Sequence, residues 1–474
     1  MDRPVLLMLC GLPASGKSTK AKELAKEYNA TIYSSDALRE EMFGDVNDQG
    51  HNQELFIELH KRIKDCLCNG KNAIYDATNI NYKRRMAFLS ELKSITCEKI
   101  CVIMATPYNE CINNNKNRDR QVPTDVIKRM YLNFQCPHYF EGWDDIKIIY
   151  KDYASKPAFN RGSFESMIRY KMKGFNQNNP HHLYDLYNHS KAVMFQYREN
   201  DIRRVSAILH DCMKSEVETI DDNKISHYYH HENVSAYYVL THPKVVDCIT
   251  YEDMLNIIFY ITYHMLAHNI ILEKTQSKYQ KIFGKELYNS LIDFAEKDKI
   301  ASNRVVFNFN YQNIYVKEEN HAIGYTRLGD MFFVDLDDID LLSHYTWCIK
   351  NKDKCDYRLV SLTDGKMKFL HRVVMKVDDD TIVVDHINHK QYDNKKCNLR
   401  PCSAKENSYN TSLSKNNTSG VNGVSLTKDG KYRAYINYND KQIHLGYYNT
   451  LDEAKNARKI ASIKLYGEFA NLNI

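Results

Sequence analysis

Gly11-Leu12-Pro13-Ala14-Ser15-Gly16-Lys17-Ser18 decides how the first third of the chain is read. The octet fits G-x-x-x-x-G-K-[ST] and stands between an apolar run, Val5–Cys10, and a helical pattern, Ser18–Tyr28, with Lys and Glu on its outer face. Glycines at the fixed positions let backbone N–H groups curl around phosphate oxygens. Lys17 can then reach the outer phosphates, and the Ser18 hydroxyl can ligate Mg²⁺. ATP and Mg²⁺ are the expected cofactors, held by Gly11, Ser15, Gly16, Lys17, Ser18 and Thr19.

Outward from this loop, strand and helix signals alternate through residue 150. Asn72–Asp76, Lys99–Ala105 and Ile146–Tyr150 read as strands, with Gln53–Cys68 and Tyr82–Leu92 as helices between them. That alternation predicts an α/β parallel sheet with crossover helices. Residues 151–165 are polar with Gly and Pro, a linker. Residues 180–300 turn to long helical periodicity with scattered His, predicting an all-α domain. Residues 301–330, Asn-rich and irregular, read as a second linker, followed by short strands and turns. The 474 residues thus divide into four expected domains, 1–155, 165–303, 322–412 and 418–474.

Composition narrows the classes. Hydrophobic residues make up 43% and charged residues 26%, ordinary for globular chains. Lys+Arg is 65 against Asp+Glu 60, and residues 401–474 hold ten Lys/Arg against six Asp/Glu, so +4 of the net +5 sits at the end of the chain. This tilts the C-terminal segment toward a polyanion. Thirteen Cys with no C-x-x-C pair argue against a disulfide framework or a zinc knuckle and for reduced thiols in a cytosolic compartment. No apolar run approaches the roughly 18 residues of a membrane span, and Val5–Leu9 is too short for a signal sequence.

Downstream residues suggest the acceptor. Ser34-Ser35-Asp36-Ala37-Leu38-Arg39 follows a short strand, with Asp36 placed to accept a proton from a hydroxyl and Arg39 to grip an acceptor phosphate. With Asp76-Ala77-Thr78-Asn79, Arg118-Asp119-Arg120-Gln121-Val122-Pro123 and Arg129-Met130-Tyr131, the first 150 residues resemble the 5′-hydroxyl polynucleotide kinase branch of the phosphate-loop phosphotransferases. The resemblance implies Asp36 as general base, Arg39 as acceptor clamp and Arg118 as the lid arginine on the transferring phosphoryl group. Arg120 remains an alternative, because the stretch one turn earlier is Asn113-Asn114-Asn115.

In the helical block, His210-Asp211 after Val205–Leu209 sets two costly groups at a core edge, where a metal is a natural partner. Asn179-Pro180-His181-His182, Asn188-His189-Ser190, Leu209-His210-Asp211-Cys212-Met213-Lys214, His231-Glu232-Asn233 and Asp298-Lys299-Ile300-Ala301 resemble the HD superfamily of metal-dependent phosphohydrolases. By that resemblance His189, His210, Asp211 and Asp298 form one site for a divalent transition metal (Mn²⁺, Co²⁺, Ni²⁺ or Zn²⁺), and His231 with His264 completes a second. The implied substrates are a 2′,3′-cyclic phosphate, a phosphomonoester or a nucleotide.

Further on, Leu370-His371-Arg372, Val384-Asp385-His386-Ile387-Asn388, Asn394–Arg400 and Glu406–Asn410 place a His before Asn residues at spacings of 12 and 9. The pattern resembles the ββα-metal site of HNH homing endonucleases. It implies His386 as general base, Asp385 and Asn407 as ligands of one divalent metal, and Asn398 orienting His386 or the substrate. His371 belongs to the approach strand. From 419 the chain reads as three strands and a helix, resembling the Apetala/ethylene-response-factor DNA-binding domain, with Tyr432 in place of the usual Trp. Strand period two puts Arg433, Tyr435 and Asn437 on one face, the candidate DNA contacts.

The resemblances together imply a kinase and phosphohydrolase that heal nucleic-acid ends, DNA or RNA, joined to a nuclease that cuts double-stranded DNA. They suggest a phage or large-virus source and the host cytoplasm. Two other readings stay open: a small-molecule kinase–phosphohydrolase, or a homing endonuclease carrying a truncated host gene. Oligomeric state is left open.

Overall fold

The computed structural model describes residues 3–150, 170–178, 183–243, 250–268, 273–350, 357–410, 413 and 417–471. The 151–165 linker, His181, His182 and the domain limits expected at 155, 165 and 412 lie outside the described residues. No described helix is long and apolar enough to cross a membrane, and every described cysteine is a free thiol.

Five strands, β1 Val5–Cys10, β2 Ala30–Ser34, β3 Asn72–Asp76, β4 Glu98–Met104 and β5 Asp145–Ile149, form a parallel sheet in the order β2-β3-β1-β4-β5. Helices α1 Lys17–Glu27, α2 Ser35–Phe43, α3 Asn52–Cys68, α4 Tyr82–Glu91, α5 Tyr108–Lys116 and α6 Thr124–Leu132 lie between the strands in sequence. β1 reads as a continuous apolar run because both of its faces are covered. Leu6, Met8 and Cys10 enter one core, while Leu7 and Leu9 enter another with Ala21 and Leu24 of α1.

The helical block packs directly against the parallel-sheet part. Val234, Tyr237 and Ile258 share one core with Phe134, Trp143 and Ile148, and Met1–Arg304 is one compact unit. Polar contacts fix the seam: Asn233 Nδ2 donates to Leu132 O (3.0 Å), and Tyr237 Oη donates to Thr106 O (2.7 Å). Near this seam Arg85 and Glu141, both with fully buried side chains, make a bidentate pair at 2.7 and 2.6 Å. Trp143 Nε1 also donates to Glu141 (3.1 Å). Removing one partner leaves an unpaired buried charge, so Arg85→Met is expected to destabilise this unit by about 3–5 kcal/mol. Thermal unfolding of the full chain, with the transition assigned by loss of nucleotide binding, tests this; an unshifted transition would refute it.

Val305–Ile474 is the second compact unit. Here the expected linker at 301–330 is corrected. Val305–Phe307, Ile314–Lys317, Ala322–Tyr325 and Met331–Val334 form a four-stranded antiparallel sheet. Two of its asparagines, Asn308 and Asn313, are buried turn-makers and not solvated spacer. Asn308 Oδ1 accepts from Gln312 N (2.7 Å) and Asn313 N (2.9 Å), while Asn313 exchanges hydrogen bonds with the Trp347 main chain at 2.7 and 3.0 Å. Composition misleads because a buried amide with all its partners looks, in sequence, like a polar spacer. Beyond this sheet, Val383–His386 pairs antiparallel with Leu399–Cys402 and leads to the helix Ala404–Asn407. Val424–Leu426, Tyr432–Tyr438 and Lys441–Tyr448 then form a three-stranded sheet under the helix Leu451–Tyr466. Tyr409 stacks on Tyr466 at 4.1 Å within this unit.

Candidate functional site

The phosphate loop joins β1 to α1. Gly16, at φ 94°, occupies the left-handed region, and a Cβ on Gly11 would meet Ser15 Oγ at 2.7 Å and Met104 Cβ at 3.0 Å, so both positions need glycine. The loop is braced from three sides. Gly11 N donates to Thr78 O (3.0 Å), Thr106 Oγ1 to Ser15 O (2.9 Å) and Asn114 Nδ2 to Ala14 O (3.2 Å). Lys17 is buried and curls back on Gly11 O (3.1 Å) and Leu12 O (2.6 Å). Burial lowers its affinity for a proton, and Asp76 opposes that.

Asp76 is the residue that sequence reasoning left without a role. It ends β3 beside β1, and the Ser18 hydroxyl hydrogen-bonds it. Burial raises its carboxyl pKa, while Lys17, Ser18 and Arg118 pull it down. A Ser hydroxyl and a carboxylate next to a phosphate loop suit a hard oxygen-ligated cation such as Mg²⁺. A cue was present in sequence: an Asp closing an apolar strand predicted to run parallel to β1. Ser18 and Thr19, both exposed, line the same cleft.

Asp36 sits in the first turn of α2, behind a Ser34 cap. Its carboxylate is half exposed and meets two arginines, Arg39 Nη1 at 3.0 Å and Arg120 Nη1 at 2.9 Å. Arg39, with its side chain buried, is held from the other side by Asn52 Oδ1 (3.0 Å). Arg120 also binds Val46 O and Asn47 Oδ1. Of the two lid arginines, Arg120 pairs with Asp36, and Arg118 is exposed and lines the same cleft.

In the helical block, His189 on Leu186–Phe195, His210 and Asp211 after Arg203–Leu209, His231 opening His231–Thr241, His264 on Tyr251–His268 and Asp298 on Lys285–Asn303 converge, all buried. Nδ1 of His210, His231 and His264 lies 2.7, 2.6 and 2.8 Å from a main-chain carbonyl. Each Nδ1 therefore carries the proton, and each Nε2 is turned inward. His189 Nε2 is 2.9 Å from Asp298 Oδ1, His210 Nε2 is 3.1 Å from Asp211 Oδ2, and His231 Nε2 is 3.1 Å from Asp211 Oδ1. His210 Nε2 and Asp211 Oδ1 nevertheless meet no partner in hydrogen-bonding geometry. Imidazole nitrogens and carboxylate oxygens that converge in this way suit a cation. Two triplets have the spacing for one, His189/His210/Asp298 and His210/Asp211/His264. Although burial would lower it, the carboxylates of Asp211 and Asp298 raise the His210 pKa to about 10. Two neighbours went unassigned in the sequence: His268, one turn after His264 with Nε2 2.9 Å from Asp298, and Lys214, whose Nζ is 2.7 Å from Asp211.

In the second unit His386 ends its strand with its ring 5.3 Å from that of His371. Burial lowers the pKa of both imidazoles, that of His371 to about 3. Among the described residues, Asn398 makes no hydrogen bond to His386. Its side chain braces the turn through Asn388 Oδ1 (3.0 Å) and Asp393 O (2.7 Å), while Asn394 Oδ1 meets His386 Nε2 (3.1 Å). Asp385, expected with Asn407 to hold a divalent metal, meets other side chains directly. Asn410, rather than Asn407, reaches Asp385 Oδ2 (2.9 Å), and Arg400 holds the same oxygen at 2.7 Å. Asn410 lies three residues after Asn407, the spacing that returns to the same side of a helical turn. Asn407 is partly exposed at the end of its helix.

Alternation in Tyr432–Tyr438 places Ala434 and Ile436 inside and leaves Arg433, Tyr435 and Asn437 on the outer face. Arg433 Nη2 donates to Gln442 Oε1 (2.9 Å), and register sets His444 beside Tyr435.

Residues 6–137 match the family described as AAA domain. Over 145 residues the chain is 28% identical to L-seryl-tRNA(Sec) kinase of Methanococcus maripaludis, covering 30% of this chain and 56% of that kinase, so it spans little more than half of that relative. Over 151 residues it is 32% identical to an uncharacterized HNH endonuclease of Acanthamoeba polyphaga mimivirus, covering 31% of this chain and 75% of the viral protein. Among solved structures, a chain of the Pnkp1/Rnl/Hen1 RNA repair complex aligns at 21% identity over 27% of this chain and 43% of that one. The TM-score of that alignment is 0.24.

Proposed function

The chain belongs to the HNH endonuclease family, and from that premise we propose a composite enzyme whose first unit mends nucleic-acid ends and whose second cuts double-stranded DNA. What carries the reading is the content of one compact unit: a phosphate loop facing Asp36 and Arg39, and an inward-facing His/Asp cluster suited to a cation.

At the phosphate loop, the backbone amides and Lys17 bind the nucleotide, with Ser18 and Asp76 placed to hold Mg²⁺. Arg39 seats an acceptor phosphate. The 5′ hydroxyl oxygen bonds to the γ-phosphorus as the bond to the β–γ bridging oxygen breaks. Its proton passes to Asp36, and ADP leaves. Asp36 first has to give up Arg120, and Arg118, exposed in the same cleft, would meet the transferring group.

In the helical block His189, His210, Asp211 and Asp298 would hold one transition metal, with His231 and His264 toward a second. Such a metal supplies a water of lowered pKa for attack on a phosphate ester. The chain's own contribution is to fix each imidazole through a main-chain carbonyl and to exclude bulk water by burial. In the second unit His386, kept neutral by burial, is positioned as general base, with Asp385 and Asn407 or Asn410 for a divalent metal and Arg433, Tyr435 and Asn437 toward DNA.

The test incubates the full chain with ATP, Mg²⁺, Mn²⁺ and an RNA ending in a 5′ hydroxyl and a 2′,3′-cyclic phosphate. Both termini are then read by mass spectrometry. The expected result is a 5′ monophosphate and an opened or removed cyclic phosphate. An RNA unchanged at both ends would overturn the end-mending reading.

A further inference from the structure

The His/Asp cluster touches one imidazole beyond its six expected ligands. His268 ends the helix Tyr251–His268, one turn after His264, and residues four apart on a helix are neighbours on its surface. The two rings reach different carboxylates. His264 Nε2 is 3.8 Å from Asp211 Oδ1, and His268 Nε2 is 2.9 Å from Asp298 Oδ2. One helix therefore serves both anionic members of the cluster. His268 is oriented unlike its neighbours. His210, His231 and His264 tie Nδ1 to the main chain and turn Nε2 inward. His268 instead spends Nε2 on a carboxylate oxygen, which only accepts, so this nitrogen carries a hydrogen and offers no lone pair to a metal. Asp298 is correspondingly divided. Its Oδ1 lies 2.9 Å from His189 Nε2 and 3.4 Å from His210 Nε2, within the triplet that has the spacing for a metal, while its Oδ2 belongs to His268.

We propose that His268 is a positioning residue of this centre: its Nε2–H holds Asp298 Oδ2, so that Oδ1 is the oxygen presented to a metal. The inference rests on the metal-centre reading of the cluster and adds the group that fixes one of its carboxylates. A carboxylate without such a partner turns about its Cβ–Cγ bond and can offer either oxygen or both. A donor on Oδ2 removes that freedom before any metal arrives, so less ordering is left for binding to supply. The surroundings of His268 fit an outer role. Its side chain is 25% exposed, against 10% or less for each of the six expected ligands, so it stands at the rim of the cluster and not at its centre.

The test titrates the full chain with Co²⁺ and reads bound metal and the visible absorption of the bound ion, neither of which needs a substrate. Native protein is compared with Asp298→Asn, His268→Phe and His268→Gln. Phenylalanine keeps a ring and loses the donor; glutamine loses the ring and keeps an N–H near the place of Nε2. His268→Phe is expected to bind Co²⁺ about 10- to 100-fold more weakly, the usual effect of removing a partner from a ligating carboxylate. Its visible spectrum should change as Asp298 turns. His268→Gln should bind with an affinity and a spectrum close to native. A purely packing role would give the opposite order, with phenylalanine tolerated and glutamine not, and that order would overturn the proposal. So would native behaviour in both variants. Thermal unfolding checks that each variant is folded, and His268→Ala is a second donor-free form should the phenylalanine unfold early. The two claims fail differently. A native chain that takes up no Co²⁺ would reject the metal centre, and His268 with it. Uptake that Asp298→Asn weakens and His268→Phe leaves unchanged would keep the centre and reject His268.

Discussion

Asp36→Asn is expected to bind ATP as the native chain does and to transfer its phosphate to a 5′-hydroxyl strand about 10³-fold more slowly. The size follows from the role, since a positioned general base contributes roughly 10²–10⁴ in rate. The substitution preserves shape and removes only the acceptor of the proton. Asp36 also pairs with Arg39 and Arg120, so an indirect collapse of the site has to be weighed. Its carboxylate is half exposed, where such pairs are worth about 0–1 kcal/mol, and Arg39 keeps its bond to Asn52. The fold should therefore survive, and nucleotide titration of the same preparation reports whether it does. Transfer at the native rate would remove Asp36 from the chemistry and leave Arg39 and Arg120 as ion-pair partners only.

The sequence was most legible where local pattern and chemistry coincide. β1, the phosphate loop and α1 could be placed to within a residue, because an apolar run buried on both faces, two constrained glycines and an amphipathic helix each leave a mark on their own residues. The inner and outer faces of Tyr432–Tyr438 were readable for the same reason, a period of two. What escaped depends on contacts far apart in the chain. Nothing local to Asp76 says that Ser18 will meet it, and nothing local to His268 says that Asp298, thirty residues on, will lie 2.9 Å away. The sheet starting at Val305 was hidden because Asn308 and Asn313 spend their polarity inward, on Trp347, Tyr345 and each other. The shared core of residues 1–304 was invisible for a related reason: Tyr237 and Phe134 look like residues of two separate cores until they are seen edge to face at 4.8 Å.

That shared core gives the second large prediction its internal control. Asp211 touches His210, His231 and Lys214 within 3.1 Å and belongs to one of the two candidate metal triplets, so Asp211→Asn removes an anionic ligand from the centre of the cluster. Bound transition metal should fall severalfold, and phosphoester hydrolysis by about 10³-fold or more, because the route through a water of lowered pKa is lost. The variant also leaves the buried Lys214 ammonium without its carboxylate, a destabilising change. Were the helical block to unfold, however, the phosphate loop would fail with it, since Tyr237 holds Thr106 and Thr106 holds Ser15. Kinase activity retained within about twofold therefore separates a lost metal from a lost fold. The native chain adds a signed pH dependence. In the metal-free cluster Asp211 and Asp298 hold the His210 proton up to a pKa of about 10. A metal at His210 has to displace this proton, so affinity should fall as the pH is lowered. Metal content and hydrolysis that ignore both Asp211→Asn and pH would mean that these side chains are a hydrogen-bonded core and not a metal centre.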